Sequence, residues 1–276
     1  MTMNKMDIKN DLWQKVCKAH EKLDEEKYPE MMLYLNLFLV KDQINQDYMD
    51  LANNLMNADA GKKIPKMVGN LIIAIYEFEI EANEDELAMN NLGSLYYNGR
   101  LGKKNFEIAI KYYSMADKAG CSLATENIAY NYFYGLGTDV DYAMAHKYFT
   151  KAALLGRYGA MYKLGDMYRY GYYVDVDPKM AFRCYTQALE LGSHDHVEMK
   201  VCLGSILYRI ADAYYEGIGV EISLVAAMNY YQKAELALYE QIKGGDQYHT
   251  DKIQYVIDKQ QEIREKLNKE LPITEF

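Results

Sequence analysis

The chain has 276 residues, half of them hydrophobic, which excludes a disordered chain and suffices for one large domain or a stacked array with a continuous core. Acidic residues number 40 against 31 basic, a formal charge of −9, which argues against a nucleic-acid backbone or an anionic membrane as the main partner. Tyrosine is over-used, with 28 against 7 Phe and 1 Trp, and its apolar face and polar tip suit a large half-wet surface better than a thick dry core.

Residues 1–83 form an N-terminal helical region. Residues 1–12 have no apolar core of signal-peptide length. The apolar run near 33–40 is interrupted by Asn36 and is too short to span a bilayer, so no membrane insertion is expected. The four cysteines, Cys17, Cys121, Cys184 and Cys202, make no metal-type spacing, and the expectation is reduced thiols in a cytoplasmic protein. Over residues 11–26, Leu12, Val16, Ala19 and Leu23 share one helix face. Pro29 suits the first turn of a second helix running to about Lys41. Residues 45–58 and 65–82 give two more. Ala52, Met56 and Tyr76 stand 36 residues before Ala88, Leu92 and Tyr112, so 48–83 is a candidate degenerate repeat.

From residue 84 a Tyr-x-x-Gly step recurs: Tyr96 to Gly99, Tyr132 to Gly135, Tyr168 to Gly171 and Tyr214 to Gly217, with glycine spacings of 36, 36 and 46. A period of this size marks stacked repeats. The first half of each unit carries a large, a small and an aromatic residue on one face: Leu92-Gly93 with Tyr96, Ile128-Ala129 with Tyr132, Leu164-Gly165 with Tyr168, Ile210-Ala211 with Tyr214. That face has a notch where a neighbouring helix can come close. The ladder glycine then stops the helix. Asn105, Asp141, Asp177 and Ser223 follow at one register, each a good N-cap for a second helix. The second halves carry Tyr112-Tyr113, Tyr148-Phe149, Cys184-Tyr185 and Tyr230-Tyr231 between alanines, and Gly120, Gly156 and Gly192 close the first three units.

These residues resemble Sel-1-like repeats, relatives of the tetratricopeptide repeat. Leu164-Gly165 with Tyr168 and Gly171, and the run Tyr148-Phe149-Thr150-Lys151-Ala152-Ala153 with Gly156, match that pattern closely. The resemblance covers residues 84–243 as units 84–120, 121–156, 157–192 and 193–243. It implies an all-α, right-handed superhelical solenoid of antiparallel helix pairs. The second loop glycine departs from the pattern: it is present at Gly137 and Gly219, displaced to Gly102, and replaced by Tyr173. The fourth unit has ten extra residues around 193–202, which predicts a first helix starting near Asp195. Leu238 replaces the closing glycine, so its second helix should overrun towards Gly244-Gly245. Residues 251–270, with Ile253, Val256, Ile257, Ile263 and Leu267 on one side, make a capping helix within a C-terminal segment 244–276.

No catalytic constellation is visible. Gly135-Leu136-Gly137 lacks a third glycine and joins two helices, so it is a helix stop rather than a phosphate loop. His194-Asp195-His196 with Glu198 is the one metal-capable cluster, and it stands alone, as a solvated helix start would. No cofactor, metal or enzymatic activity is expected. The resemblance places the first helices on a concave face. The non-core positions there are, in rows, Asn90, Glu126, Tyr162 and Tyr208; Ser94, Tyr130, Asp166 and Asp212; Tyr97, Phe133, Arg169 and Tyr215; and, at the rim, Asn98, Tyr134, Tyr170 and Glu216. Aromatics with a few charges suit a protein or peptide partner; packing between neighbouring first helices is the alternative use of the same residues. The expectation is a non-catalytic adaptor with an aromatic groove. The alternative is a self-associating regulator whose groove holds its own terminus or a second copy.

Overall fold

The computed structural model describes residues 5–40, 47–59, 62–192, 202–243 and 250–270. They form helices joined by turns, with no strand among the described residues. The chain divides into two compact units, Met1–Asp141 and Tyr142–Phe276. The first holds α1 (Lys5–Lys22), α2 (Pro29–Val40), α3 (Tyr48–Asn57), α4 (Lys66–Asn83), α5 (Glu86–Asn98), α6 (Phe106–Ala119) and α7 (Ser122–Tyr134). The second holds α8 (Tyr142–Leu154), α9 (Tyr158–Tyr170), α10 (Pro178–Gly192), α11 (Leu203–Glu216), α12 (Leu224–Lys243) and α13 (Thr250–Glu270). Among the described residues no helix is long and apolar enough to cross a membrane.

In the first unit, Leu12, Val16 and Ala19 bury the α1 face that their spacing defines, against Met31, Leu35, Leu55, Leu71 and Ile75. α1 stops at Lys22, short of the expected residue 26, because Asp24 takes over the local hydrogen bonds: its side chain accepts from Lys27 N and its carbonyl from Tyr28 N. α3 and α4 pack together, and the hydroxyl of the buried Tyr76 donates to Asn53. Arg100, in the loop after α5, reaches back to the end of α3. Its guanidinium donates to the carbonyls of Met56 and Ala58, where a cation also meets the negative end of the helix.

The local punctuation follows the sequence closely. Gly99, Gly135, Gly171 and Gly217 end α5, α7, α9 and α11 in the left-handed conformation. Asn105, Asp177 and Ser223 accept from Ile108, Met180 and Ala226 amides at 3.0, 2.9 and 3.2 Å. Gly192 departs from expectation, being the last helical residue of α10. The loop glycines Gly137 and Gly219 have a packing reason: a Cβ would fall 2.4 Å from the Phe106 carbonyl oxygen and 2.1 Å from that of Pro178. Tyr173 holds the same left-handed conformation (φ 69°) with a full side chain, its ring 5.7 Å from that of His146 and tilted to it. In the first repeat the space is moved to the other partner, since Leu101 lies against Gly69 of α4.

In the second unit, α9 packs on α10 and α11 on α12. α12 runs for 20 residues because Leu238 continues it, fully buried against Gly204 of α11. α11 starts at Leu203 with Cys202 at its N-cap. The start expected near Asp195, the His194 cluster and the Gly244-Gly245 stop lie outside the described residues. α13 buries Ile253, Val256 and Ile263 against the α11 and α12 core.

The notch expected from the large–small–aromatic pattern is visible at Gly165. A Cβ there would lie 2.5 Å from Tyr185 Cε1 and 3.1 Å from the Ala181 carbonyl oxygen. The Tyr185 ring cannot swing aside, because it is fully buried and its hydroxyl is bonded to Asp166. Helix propensity alone would make Gly165→Ala stabilising by about 1 kcal/mol. Overpacking of about 1–3 kcal/mol should outweigh that. Thermal melts should therefore show a lower Tm for Gly165→Ala; a higher one would refute the close approach.

Candidate functional site

The first-helix face is built from residues at repeat positions that the core pattern leaves free. The outermost row is exposed: Asn98 and Tyr134 in the first unit, Tyr170 and Glu216 in the second. The next row, Tyr97, Phe133, Arg169 and Tyr215, is half-buried. Further in, Ser94 and Tyr130 are half-buried, whereas Asn90, Glu126, Tyr162, Asp166, Tyr208 and Asp212 are buried. The innermost residues are thus shared between helices, and each unit presents a narrower surface than the full set of rows.

In the first unit the inner residues are mostly neutral, Asn90, Ser94 and Tyr130, with Glu126 the one carboxylate. Asn127 of α7 donates to Asn90 of α5 at 3.1 Å, and Asn91 donates to Asn53 of α3 at 2.9 Å. Ser94 lies 3.3 Å from the hydroxyl of Tyr113. Burial pushes that phenol up to about 12, so it stays neutral at ordinary pH. Above this floor the aromatics gather: Tyr97 meets Phe106 edge-on at 5.2 Å, Phe133 meets Tyr134 edge-on at 5.0 Å, and Tyr130 stacks on Tyr134 at 6.2 Å. Asn131 is a further buried polar residue of α7, beside Thr125 and Glu126. It stands at the register of Leu95, Met167 and Ala213, fully buried, with neither amide atom hydrogen-bonded.

In the second unit the same positions carry charge. Asp166 accepts from Tyr185 at 3.0 Å, from Lys163 at 3.4 Å, and from Arg209 of α11 through Nε at 2.5 Å and Nη2 at 2.8 Å. Arg209 is held between two rings, 4.9 Å from Tyr162 and 4.7 Å from Tyr208. Burial alone would raise the Asp166 carboxyl, but Arg209 and Lys163 overcome it and hold the group below the ordinary carboxylate range. Asp212 is a second hub, accepting from Tyr231 at 2.6 Å, Tyr255 at 2.8 Å and Arg169 at 3.1 Å. Arg169 also bonds Glu216 at 2.9 Å and lies 5.2 Å from the Tyr170 ring. Tyr215 is flanked by Lys259 and Lys266 of α13, and its hydroxyl donates to Glu262.

Two regularities order these contacts. The first is an offset of 19 residues inside a repeat. Ser94, Asp166 and Asp212 each meet the hydroxyl of the buried tyrosine 19 residues later, Tyr113, Tyr185 and Tyr231. Phe149 occupies that place in the remaining repeat and needs no acceptor; the residue 19 before it is the aromatic Tyr130. The second is an offset between neighbouring first helices. Arg209 to Asp166 and Tyr255 to Asp212 both span 43 residues, and Arg169 to Glu216 and Tyr215 to Glu262 both span 47. α13 therefore meets α11 as α11 meets α9, in the place of one more first helix. Arg209, Lys163 and Tyr255 escape a reading of the sequence by rows. The covariation of Ser or Asp with the tyrosine hydroxyl 19 residues on is the signal that could have exposed the hubs.

Comparison with known proteins comes down to one repeat. The family model of the Sel1 repeat matches residues 87–121, 122–156, 159–193 and 207–236. A Sel1 repeat protein from Oxalobacter formigenes is similar in structure, with a TM-score of 0.55 at 24% identity over 71% of this chain and 74% of that one. So is c5321, a protective antigen of uropathogenic Escherichia coli with an SLR fold, with a TM-score of 0.53 at 20% identity. That alignment takes in 91% of this chain and spans 56% of the length of c5321. No curated protein matches the chain in sequence. Four consecutive repeat matches, on helix pairs with the glycine stops, caps and notch described above, place this chain in the Sel1-like repeat family.

Proposed function

We propose that the protein is a non-catalytic adaptor that binds a protein or peptide partner on the first-helix face. Repeats of this family generally serve as protein-interaction scaffolds. The observation that carries the reading here is the strip of Tyr97, Tyr130, Phe133 and Tyr134 in the first unit, which stays half-buried or exposed while the residues beneath it are packed. Such rings give a partner large contact area at low entropic cost. In the second unit the equivalent strip is Arg169, Tyr170, Tyr215 and Glu216, with mixed charge, and Tyr170 is 55% exposed. The four free cysteines fit a reducing, cytoplasmic setting. The proposal needs no cofactor, metal or nucleic acid.

The test is a variant that removes rings without touching the buried hubs: Tyr130→Ala, Phe133→Ala and Tyr134→Ala together. Tyr162 is left intact because it packs on Arg209. The fold should lose about 2–4 kcal/mol, while affinity for captured partners should drop roughly 100-fold or more. Affinity capture from native extract, wild type beside variant, with circular dichroism as the folding control, reads both. Undiminished capture by a folded variant would refute the site.

A second reading, in which the chain's own terminus fills the face, draws support from the contacts of α13 with Tyr208, Asp212 and Tyr215. Their 43- and 47-residue offsets favour a stacked cap over a displaceable occupant.

A further inference from the structure

A cleft of about 410 Å³ opens between α1 and α4, far in sequence from the aromatic strip. Its rim is basic. Lys15, Lys18 and Lys22 stand at i, i+3 and i+7 on one face of α1, and Lys66 stands opposite at the start of α4. Among the described residues no carboxylate lines it, in a chain whose formal charge is −9. Lys15 is paired with Asp11, while Lys18, Lys22 and Lys66 have no hydrogen bond or ion pair among the described residues. The three lysines without a counter-charge repel each other, and an anion of several charges relieves that repulsion. α4 adds to the field. It is 18 residues long, and its N-cap, Pro65, makes no side-chain hydrogen bond to the first-turn amides. The floor is apolar, formed by Met67 and the buried Leu71, with Asn70 as a neutral polar group beside them.

We infer that this cleft binds a small phosphate-bearing molecule with two or more negative charges, its phosphates met by the lysines and its organic part resting on Met67 and the lysine methylenes. The volume is that of a small-molecule site and is too small for an extended polypeptide. Lysine is a point-charge phosphate ligand, suited to a chain of phosphates rather than to one planar carboxylate. The inference is independent of the adaptor reading, since no residue is shared with the aromatic strip.

Calorimetry on the full chain at low salt, about 50 mM, would use inorganic tripolyphosphate and ATP as probes. Binding should be saturable for both and tighter for ATP, whose base can use the apolar floor. Lys18→Gln, Lys22→Gln and Lys66→Gln together should weaken it roughly tenfold or more. The corresponding three arginine replacements should retain it. Lys111→Gln, Lys147→Gln and Lys179→Gln, the same charge change elsewhere, should leave it unaltered. No saturable binding, an equal loss in that control, or preference for an octaglutamate peptide over tripolyphosphate would each overturn the inference.

Discussion

Truncation of the chain after Lys243 should cost the second unit about 3–6 kcal/mol, the largest effect expected of any change considered. The truncation uncovers the surface that Ile253, Val256 and Ile263 bury, each worth about 1.5–3 kcal/mol by area alone, an upper bound for a chain with a compact unfolded state. It also strips Asp212 of the Tyr255 hydroxyl and Tyr215 of its cationic neighbours. Set against the about 5–15 kcal/mol of a whole domain, this leaves the unit marginal. Urea titration should show a lower midpoint, and amide exchange should accelerate first in α11 and α12. The same experiment separates the two roles of α13. If the truncated chain keeps its stability and captures more partner, α13 is a displaceable strap, and the cap reading fails.

Breaking the Arg209–Asp166 pair should come next. Both side chains are largely withdrawn from water, 13% and 7% exposed, and the pair joins α9 to α11. Arg209→Ala leaves a carboxylate facing the Tyr185 hydroxyl and Lys163 alone; Asp166→Ala leaves a guanidinium between two rings with no counter-charge. Each should cost about 3–5 kcal/mol. A double replacement, Asp166→Leu with Arg209→Met, should be less damaging than either single change, because no uncompensated charge remains. If the double costs the sum of the singles, the pair is not a coupled unit.

The pH dependence has a definite sign. The Asp166 carboxyl titrates lower in the folded chain than in the unfolded one, where about 3.9 is normal. Its contribution is therefore complete above about pH 4 and is lost as pH falls through the folded value. The acid limb of stability below about pH 4 should be shallower in Asp166→Asn than in the wild type.

How much of this was visible beforehand differs by level. The repeat period, the glycine stops and the caps are local devices. A left-handed glycine or an Asn105 side chain acts within four residues, so its position in the chain is enough to read it. The N-terminal latch through Arg100 is different. Its partners, Met56 and Ala58, are more than 40 residues away, and nothing near Arg100 announces them.

The candidate face shows the same division within a single row. Ser94, Tyr130, Asp166 and Asp212 share one register, and the sequence by itself determined that they lie off the core stripe of their helices. Whether such a residue greets a partner or is buried depended on the helix stacked beside it. Asp166 is enclosed because Arg209, 43 residues on, is long enough to reach it and is clamped by Tyr162 and Tyr208. Asp212 is enclosed because α13 brings Tyr255 to the same place. Periodicity fixes the direction of a side chain around its own helix axis; the length and charge of what meets it across the gap between helices is a tertiary property. The repeats and their register were therefore legible in the chain, and the tertiary structure alone divided the first-helix positions into a buried floor and a half-buried to exposed strip, aromatic in the first unit and mixed with charge in the second.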